Sequence, residues 1–289
     1  MGDCPTGYCR ITREKKMIEA LHLEFMQNAF MAAFLASIVC GIIGTFVVVN
    51  RIVFISGGIA HAAYGGIGLA FFLGLSPMLG ILGFALLVSV VMAAITWKAR
   101  HRADTIIGVL WALGMAIGVI LLDLTPGYNV DLMSYLFGSI LTVPSSDLWL
   151  MLGLSGLVVL IVGYFYQDFI SLSYDEEFAR VRGVPVRLLY FLLMAMIALS
   201  VVMIIQIVGL ILVIALLTIP PYIAERFSGS LLTMMLYSIL LNILFTWVGL
   251  WLSYEFNLTS GASIIMVGGV CFFISFLIGR LRPKQGFTN

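Results

Sequence analysis

The longest apolar stretch of the chain runs from Arg187 to Phe227 and reads RLLYFLLMAMIALSVVMIIQIVGLILVIALLTIPPYIAERF. It holds about 40 residues, roughly twice the length that one helix needs to cross the hydrocarbon core of a bilayer. We therefore predict two membrane-spanning helices in this stretch, with Gln206 and Gly209 at the turn between them. The fold class that follows is an all-α polytopic membrane protein.

Composition extends this prediction to the whole chain. Of its 289 residues, 62% are hydrophobic and 10% are charged. A soluble domain of this length could not bury so much apolar surface in one core, so a lipid bilayer must cover part of it. The formal net charge of +1 indicates neither a nucleic acid nor an acidic ligand as a partner.

Runs of about 20 apolar residues predict about nine transmembrane helices. They are expected near residues 28–49, 57–74, 78–97, 105–123, 147–166, 188–206, 207–224, 231–252 and 262–279. A further apolar run over residues 130–143 is too short to cross, and we predict that it forms a re-entrant or half-helix element. The membrane domain would cover residues 28–281, between an extracytoplasmic N-terminal tail of residues 1–27 and a cytoplasmic tail of residues 282–289.

The basic residues orient these spans. If the N-terminus lies outside, the positive-inside rule is satisfied, because the external basic residues are only Arg10, Arg13, Lys15 and Lys16. The cytoplasmic side then carries Arg51, Lys98, Arg100, Arg102, Arg180, Arg182, Arg187, Arg226, Arg280, Arg282 and Lys284. In the external tail, Cys4 and Cys9 could form a disulfide. The tail could equally be unstructured, or Met17 rather than Met1 could be the natural start.

One histidine, His61, falls well inside a predicted span, in the sequence SGGIAHAAYGG of residues 56–66. Imidazole is a common ligand of divalent metals near neutral pH, and ionisable groups are costly inside a bilayer. Gly57 and Gly65 share its helix face. Beside it runs a ladder of small residues that permits close helix packing, made of Gly58, Ala62, Gly66 and Ala70. Two interpretations are open: a metal ligand on a transport path, or a neutral histidine that is hydrogen-bonded across a helix interface.

The loop after the fifth span predicts a short cytoplasmic helix near residues 174–183. Ser173 and Glu176 have the spacing of a capping box, and Gly183 supplies a left-handed stop. The helix dipole favours acidic residues in the first turn and basic residues in the last, which here are Asp175, Glu176, Glu177, Arg180 and Arg182. An apolar side formed by Phe178, Ala179 and Val181 indicates a docking helix. The alternative is a plain connector between spans.

Other polar residues near or within the spans are weaker candidates. Ser56, Gln206 and Asn242 are expected to hydrogen-bond between helices. Asp123 and Asp131 bracket the predicted external mouth between the fourth and fifth spans, where they could attract cations or simply be solvated. The methionines could suggest a copper(I) path, but irregular spacing is typical of packing residues; examples are Met194, Met196, Met203, Met234 and Met235.

Several motifs, in order along the chain, resemble those of the permease subunits of metal-ion ABC importers of the zinc and manganese type. The sequence EFARVRGVPV of residues 177–186 resembles their coupling-helix region, and residues 56–61 resemble their Gly-Asp-x-x-Ser-His segment. The start of the fourth span, Asp104-Thr105-Ile106-Ile107-Gly108, and the span from Val208-Gly209 to Pro220 are also similar to that family. The sequence VDLMSYLFG of residues 130–138 resembles its zinc-importer branch. The resemblance covers about residues 30–281.

The resemblance implies a non-catalytic permease subunit with a type II ABC importer-like fold, in a bacterial or archaeal cytoplasmic (inner) membrane. It implies a homodimer that works with two copies of a separate ATPase subunit and with an extracytoplasmic metal-binding protein. The chain would hold no cofactor and would move a divalent metal, with zinc ahead of manganese and iron(II). His61 would lie on the translocation path, with structural positions in that path at Gly57, Gly58, Gly65, Gln206 and Pro220. Coupling to the ATPase would fall to Glu176, Glu177, Phe178, Arg180, Val181 and Gly183.

Two positions depart from the family pattern. Gly57 stands where the family usually has an aspartate, and Gly138-Ser139 replaces its Gly-Asp. His61 would then hold an ion weakly, with neutral or remote ligands, or gate the path without binding.

ATP chemistry and ion coupling separate the two candidate classes of transporter. The sequence contains no Gly-x-x-x-x-Gly-Lys-Ser/Thr phosphate loop, so a partner would supply ATP hydrolysis. The alternative is an ion-coupled secondary metal transporter. Such proteins usually place acidic residues at the membrane midplane, and the predicted spans hold essentially none.

Overall fold

Helices are the only regular secondary structure in the described part of the chain, so the all-α prediction is confirmed. The computed structural model describes residues 24–98, 103–125 and 145–281, and these ranges contain twelve helices and no strand. In chain order they are α1 Glu24–Val49, α2 Val53–Ala62, α3 Tyr64–Leu73, α4 Pro77–Lys98, α5 Ala103–Asp123, α6 Ser145–Tyr164, α7 Tyr166–Tyr174, α8 Glu176–Val181, α9 Val186–Val208, α10 Leu210–Glu225, α11 Leu231–Phe256 and α12 Ser260–Leu281. The predicted element over residues 130–143, Asp131, Cys4, Cys9 and the tail 282–289 lie outside the described residues.

Eight helical segments in the described ranges are long and apolar enough to cross a bilayer. They are α1, α2 together with α3, α4, α5, α6, α9, α11 and α12. The remaining predicted span corresponds to α10, which is shorter at 16 residues. Each predicted span therefore corresponds to a helix of the structure. The orientation with the N-terminus outside stays a prediction.

The turn between α9 and α10 rests on Gly209 alone. Its backbone has φ 79° and ψ 172°, a conformation that only glycine adopts without strain. The preceding helix therefore continues through Gln206 to Val208, and α10 begins at Leu210 instead of at residue 207 as predicted. Pro220 lies buried inside α10, next to Pro221.

Burial divides the helices into a central and a peripheral group. In the apolar segments of α1 and of α2 with α3, 78% of the residues are buried, against 22% in α5, α6 and α12. The peripheral helices expose large apolar side chains, as lipid-facing helices do, among them Val109, Leu113, Ile117, Trp149, Leu160, Met266 and Phe273. The second span, which carries His61, thus lies in the core of the bundle.

The predicted ladder of small residues lets the second span approach α4 and α5 closely. A Cβ atom added at Gly66 would lie 2.5 Å from the carbonyl oxygen of Gly80 in α4. One added at Gly114 in α5 would lie 2.6 Å from Cα of Ala62. The backbones therefore touch at positions where no larger residue fits, as small residues allow in membrane helices.

Candidate functional site

His61 lies in the last turn of α2, with its ring tied to its own helix. Its Nδ1 is 2.9 Å from the carbonyl oxygen of Gly57. Because a carbonyl can only accept, Nδ1 carries the hydrogen and donates, and in the neutral ring Nε2 keeps its lone pair. No hydrogen bond of Nε2 occurs among the described residues. The bond is intrahelical, so the expectation of a histidine hydrogen-bonded across a helix interface is wrong for Nδ1.

A tryptophan from α5 covers the imidazole. The ring centroids of His61 and Trp111 are 4.1 Å apart and the rings are inclined by 30°. Nε1 of Trp111 donates to Sδ of Met115 one turn further along α5, at 3.1 Å. Sequence reasoning missed Trp111, although a tryptophan near the centre of a span is unusual, since tryptophans concentrate at membrane interfaces.

The glycines around His61 lie against residues of α10 and α5. A Cβ at Gly57 would lie 3.1 Å from Cδ1 of Ile214 in α10, and one at Gly58 would lie 2.5 Å from Cγ2 of Ile107 in α5. One at Gly65 would lie 2.8 Å from the carbonyl oxygen of Gly114. The side of α2 one turn before His61 therefore meets α10, whereas the imidazole itself meets α5.

The acidic candidates do not join His61 in the described part of the chain. No three side chains of His, Cys, Asp or Glu in that part lie close enough together to hold a metal ion. Asp123 is exposed at the end of α5, 12 residues beyond Trp111, which is about 18 Å along the helix axis. Within the described ranges, the chain therefore contributes one imidazole here and no carboxylate cluster beside it.

Two of the weaker polar candidates bond within their own helices. Oγ of Ser56 donates to the carbonyl oxygen of Val53 at 2.8 Å, and Nδ2 of Asn242 donates to that of Ser238 at 3.1 Å. Neither bond reaches another helix, so the prediction that these two side chains hydrogen-bond between helices is wrong. Short polar side chains commonly return to carbonyls three or four residues earlier in a helix.

A short helix, α8, lies where the loop sequence predicts one, but its cap differs. Asp175 is the N-cap, with backbone φ −151°, and its Oδ1 accepts from the backbone N–H of Phe178 at 2.9 Å. The prediction of Ser173 as the cap is wrong, because α7 continues to Tyr174. Gly183 ends the helix as predicted, with φ 78°.

The α8 helix is anchored on one side and exposed on the other. Ala179 is fully buried, whereas Phe178 and Val181 are 54% and 86% exposed. Arg180 forms an ion pair with Glu176, and its guanidinium lies 5.7 Å from the ring centroid of Trp97 in α4. The exposed side is therefore accessible to a partner, while the other side packs against the membrane-spanning helices.

A cavity of about 310 Å³ opens beside α8, at one end of the helix bundle. Its polar lining comprises Asn50, Arg51, Thr96, Asp104, Glu176 and Tyr190. Nδ2 of Asn50 also donates to Oγ of Ser173 at 3.0 Å. The ends of α1, α4, α5 and α9 thus meet the short helix on one side of the bundle.

Known proteins are similar in sequence to this chain over most of its length. A sequence profile of the ABC 3 transport family matches residues 22–279. The chain is 50% identical over 270 residues to slr2045, an uncharacterized membrane protein of Synechocystis sp., covering 93% of this chain and 96% of that protein. It is 33% identical to the manganese import system permease protein ScaB of Streptococcus gordonii over 276 residues, covering 95% of this chain and 98% of ScaB.

A solved structure extends the similarity to the fold. It is that of PsaBC from Streptococcus pneumoniae in complex with Fab, which superposes with a TM-score of 0.83 at 32% identity. The match covers 94% of this chain and 98% of that chain. From its helical spans and from these matches, the chain is a multi-pass membrane protein that belongs to the ABC 3 transport family.

Proposed function

We propose that this chain is the membrane-spanning permease subunit of an ATP-driven importer of divalent transition metal ions. Family membership and the similarity to ScaB support this class of protein. The observation that carries the proposal is the state of His61, a partly buried imidazole in a tightly packed span. Its Nδ1 is bonded to Gly57, which leaves Nε2 available to a passing ion.

The ion would be held weakly. Tight structural sites for transition metals use four protein ligands, whereas each chain offers one imidazole here and no cluster of three ligands in its described part. An ion at Nε2 would keep most of its water shell and could leave readily. Selection of the metal would then rest largely with the extracytoplasmic binding protein.

Manganese is the metal we place first. ScaB is named as a manganese import permease, and that name outweighs the resemblance of residues 130–138 to the zinc-importer branch. Zinc and iron(II) follow, since imidazole binds all three ions. Competition between radiolabelled Mn²⁺ and unlabelled Zn²⁺ or Fe²⁺ in uptake assays would rank them.

A separate ATPase would dock on α8. Phe178 and Val181 give this helix an exposed apolar side, and Glu177 and Arg182 add exposed charges around it. Glu176, Arg180 and Gly183 hold the helix in shape, so motion of the ATPase would pass to the spans. Site-specific cross-linkers at Phe178 or Val181 should capture the ATPase in an assembled complex, and a linker at Leu160, an exposed apolar residue within the span α6, should not.

The number and arrangement of the subunits are proposed from the family resemblance. We propose a homodimer in a bacterial cytoplasmic membrane, with two ATPase subunits on the cytoplasmic side and the metal-binding protein outside. Two His61 imidazoles could then flank one path. Asp123 and Asp131, near the predicted external mouth, would attract cations toward it, and Gln206 and Pro220 would shape the helices around it.

Reconstitution tests the proposed class of transporter. The permease should take up radiolabelled Mn²⁺ into proteoliposomes only when the ATPase subunit, the binding protein and ATP are present. Uptake that continued without ATPase and ATP, and that a protonophore abolished, would instead establish the ion-coupled secondary transporter. ATP hydrolysis by the purified permease alone would contradict the proposal that a separate subunit hydrolyses ATP.

A further inference from the structure

The His61 ring has no side-chain packing from the glycines on its own helix face, and one hydrogen bond to the backbone of Gly57 is its contact within that helix. The residues three and four positions away share the helix face, and at positions 57, 58 and 65 they are glycines. Tyr64, the fourth, is buried and packs near Gly118 of α5. A single hydrogen bond from Nδ1 to Gly57 restrains one edge of the ring but not its tilt.

Trp111 supplies the missing restraint. Its indole lies against the imidazole at an inclination of 30°, with 4.1 Å between the ring centroids, a separation below the range of most aromatic pairs. The indole is itself fixed, because Nε1 donates to Sδ of Met115. A connected series therefore runs from Gly57 through His61 and Trp111 to Met115, across the contact between α2 and α5.

We infer that Trp111 is a positioning residue for His61: the stacked indole holds the imidazole with Nδ1 on Gly57 and Nε2 available to the transported ion. This inference rests on the proposed function of His61. Ligating histidines are generally oriented by a partner of the other ring nitrogen, and here a stacking partner adds to that bond. Because residue 57 is a glycine and supplies no carboxylate beside the imidazole, a fixed orientation of His61 would matter more for presenting its Nε2.

Uptake kinetics of radiolabelled Mn²⁺ by the assembled transporter in proteoliposomes would test this role. Trp111→Ala should raise the KM about tenfold, the lower end of what loss of a supporting contact to a metal ligand costs, while Vmax changes little. Trp111→Phe, which keeps an aromatic face over the imidazole, should have a KM close to that of the wild type. Trp149→Ala is the matched control, because Trp149 is 76% exposed on α6 and should leave the KM unchanged.

A double variant distinguishes positioning from general packing. In a His61→Asn background, Trp111→Ala should change the KM no further, because the group it positions is gone. Equal KM values for Trp111→Ala and wild type would overturn the inference while leaving the role of His61 intact. An unchanged KM in His61→Asn alone would overturn the proposed function instead.

A milder variant covers the case in which Trp111→Ala fails to reach the membrane. Met115→Leu keeps the indole and the local volume but removes the acceptor of its Nε1–H. It should raise the KM by a smaller factor than Trp111→Ala, of roughly twofold to fivefold, since one weak hydrogen bond is lost. If Trp111→Ala does not reach the membrane, an unchanged KM in Met115→Leu would overturn the inference and assign Trp111 to packing alone.

Discussion

The carbonyl oxygen of Gly57 and Nδ1 of His61 are 2.9 Å apart, one helical turn from each other in α2. This contact fixes which ring nitrogen carries the hydrogen in neutral His61. The family resemblance leads us to expect an aspartate at residue 57, whereas here that residue is glycine and its backbone carbonyl bonds the imidazole. The permease would therefore present a neutral ligand in the core of the bundle.

Gly57→Asp should convert this weak site into a tighter one. The new Cβ would lie 3.1 Å from the flexible end of Ile214, so a small shift of that side chain admits it. A net gain of about 1.4 kcal/mol from the carboxylate would lower the KM for Mn²⁺ uptake about tenfold, and slower release should lower Vmax. Gly57→Ala is the control for size alone; if both variants keep the wild-type KM, residue 57 does not face the ion.

Gly66→Ala should destabilise the bundle. Its Cβ would lie 2.5 Å from the backbone oxygen of Gly80, and the helices would have to separate, at a cost of about 1–3 kcal/mol. The melting temperature of the detergent-purified protein should fall. Gly83→Ala in α4 is the matched control, because no atom lies within 4 Å of the added Cβ; equal melting temperatures for the two variants would contradict the close approach.

Asp175→Ala should weaken the start of α8 by about 1 kcal/mol, as loss of an N-cap does. A frayed docking helix transmits motion poorly, so the amount of Mn²⁺ moved per ATP hydrolysed should fall. Ser171→Ala is the control, since its hydroxyl donates a solvent-exposed hydrogen bond to the carbonyl oxygen of Gln167 within α7 and does not touch the cap. The cap assignment would be refuted by a wild-type coupling ratio in the Asp175 variant.

Gly183→Val tests the other end of the same helix. The backbone there has φ 78°, which costs a residue with a side chain about 1–2 kcal/mol. We expect ATP hydrolysis to continue while metal transport falls. Gly229→Val, in a loop whose glycine lacks a left-handed φ and has open space around it, should keep both activities; similar losses in the two variants would mean that the left-handed stop is unimportant.

The sequence predicts the membrane spans well because a bilayer imposes their length and polarity on each one separately. It also predicts the breaks at Gly209 and Gly183, where only glycine adopts the required backbone conformation without strain. These features depend on local chemistry, so a single sequence carries them.

Contacts between helices are harder to predict. Trp111 lies 50 residues after His61 in the chain, and nothing in their spacing indicates that α2 and α5 bring them together. The N-cap of α8 is hard to predict because it depends on where the preceding helix ends. Ser173 has suitable spacing to Glu176, but Tyr174 remains helical in α7 and the chain leaves that helix only at Asp175.

The most direct test of the central claim is Mn²⁺ uptake by His61→Asn in proteoliposomes that contain the ATPase and the binding protein. Asparagine keeps a hydrogen-bonding group of similar size, so packing and the amount of assembled complex should match wild type. If Nε2 of His61 contacts the ion, uptake should fall by more than the ~10-fold that loss of a supporting contact costs. Wild-type uptake rates in His61→Asn would contradict the account and would leave the imidazole as a packing residue.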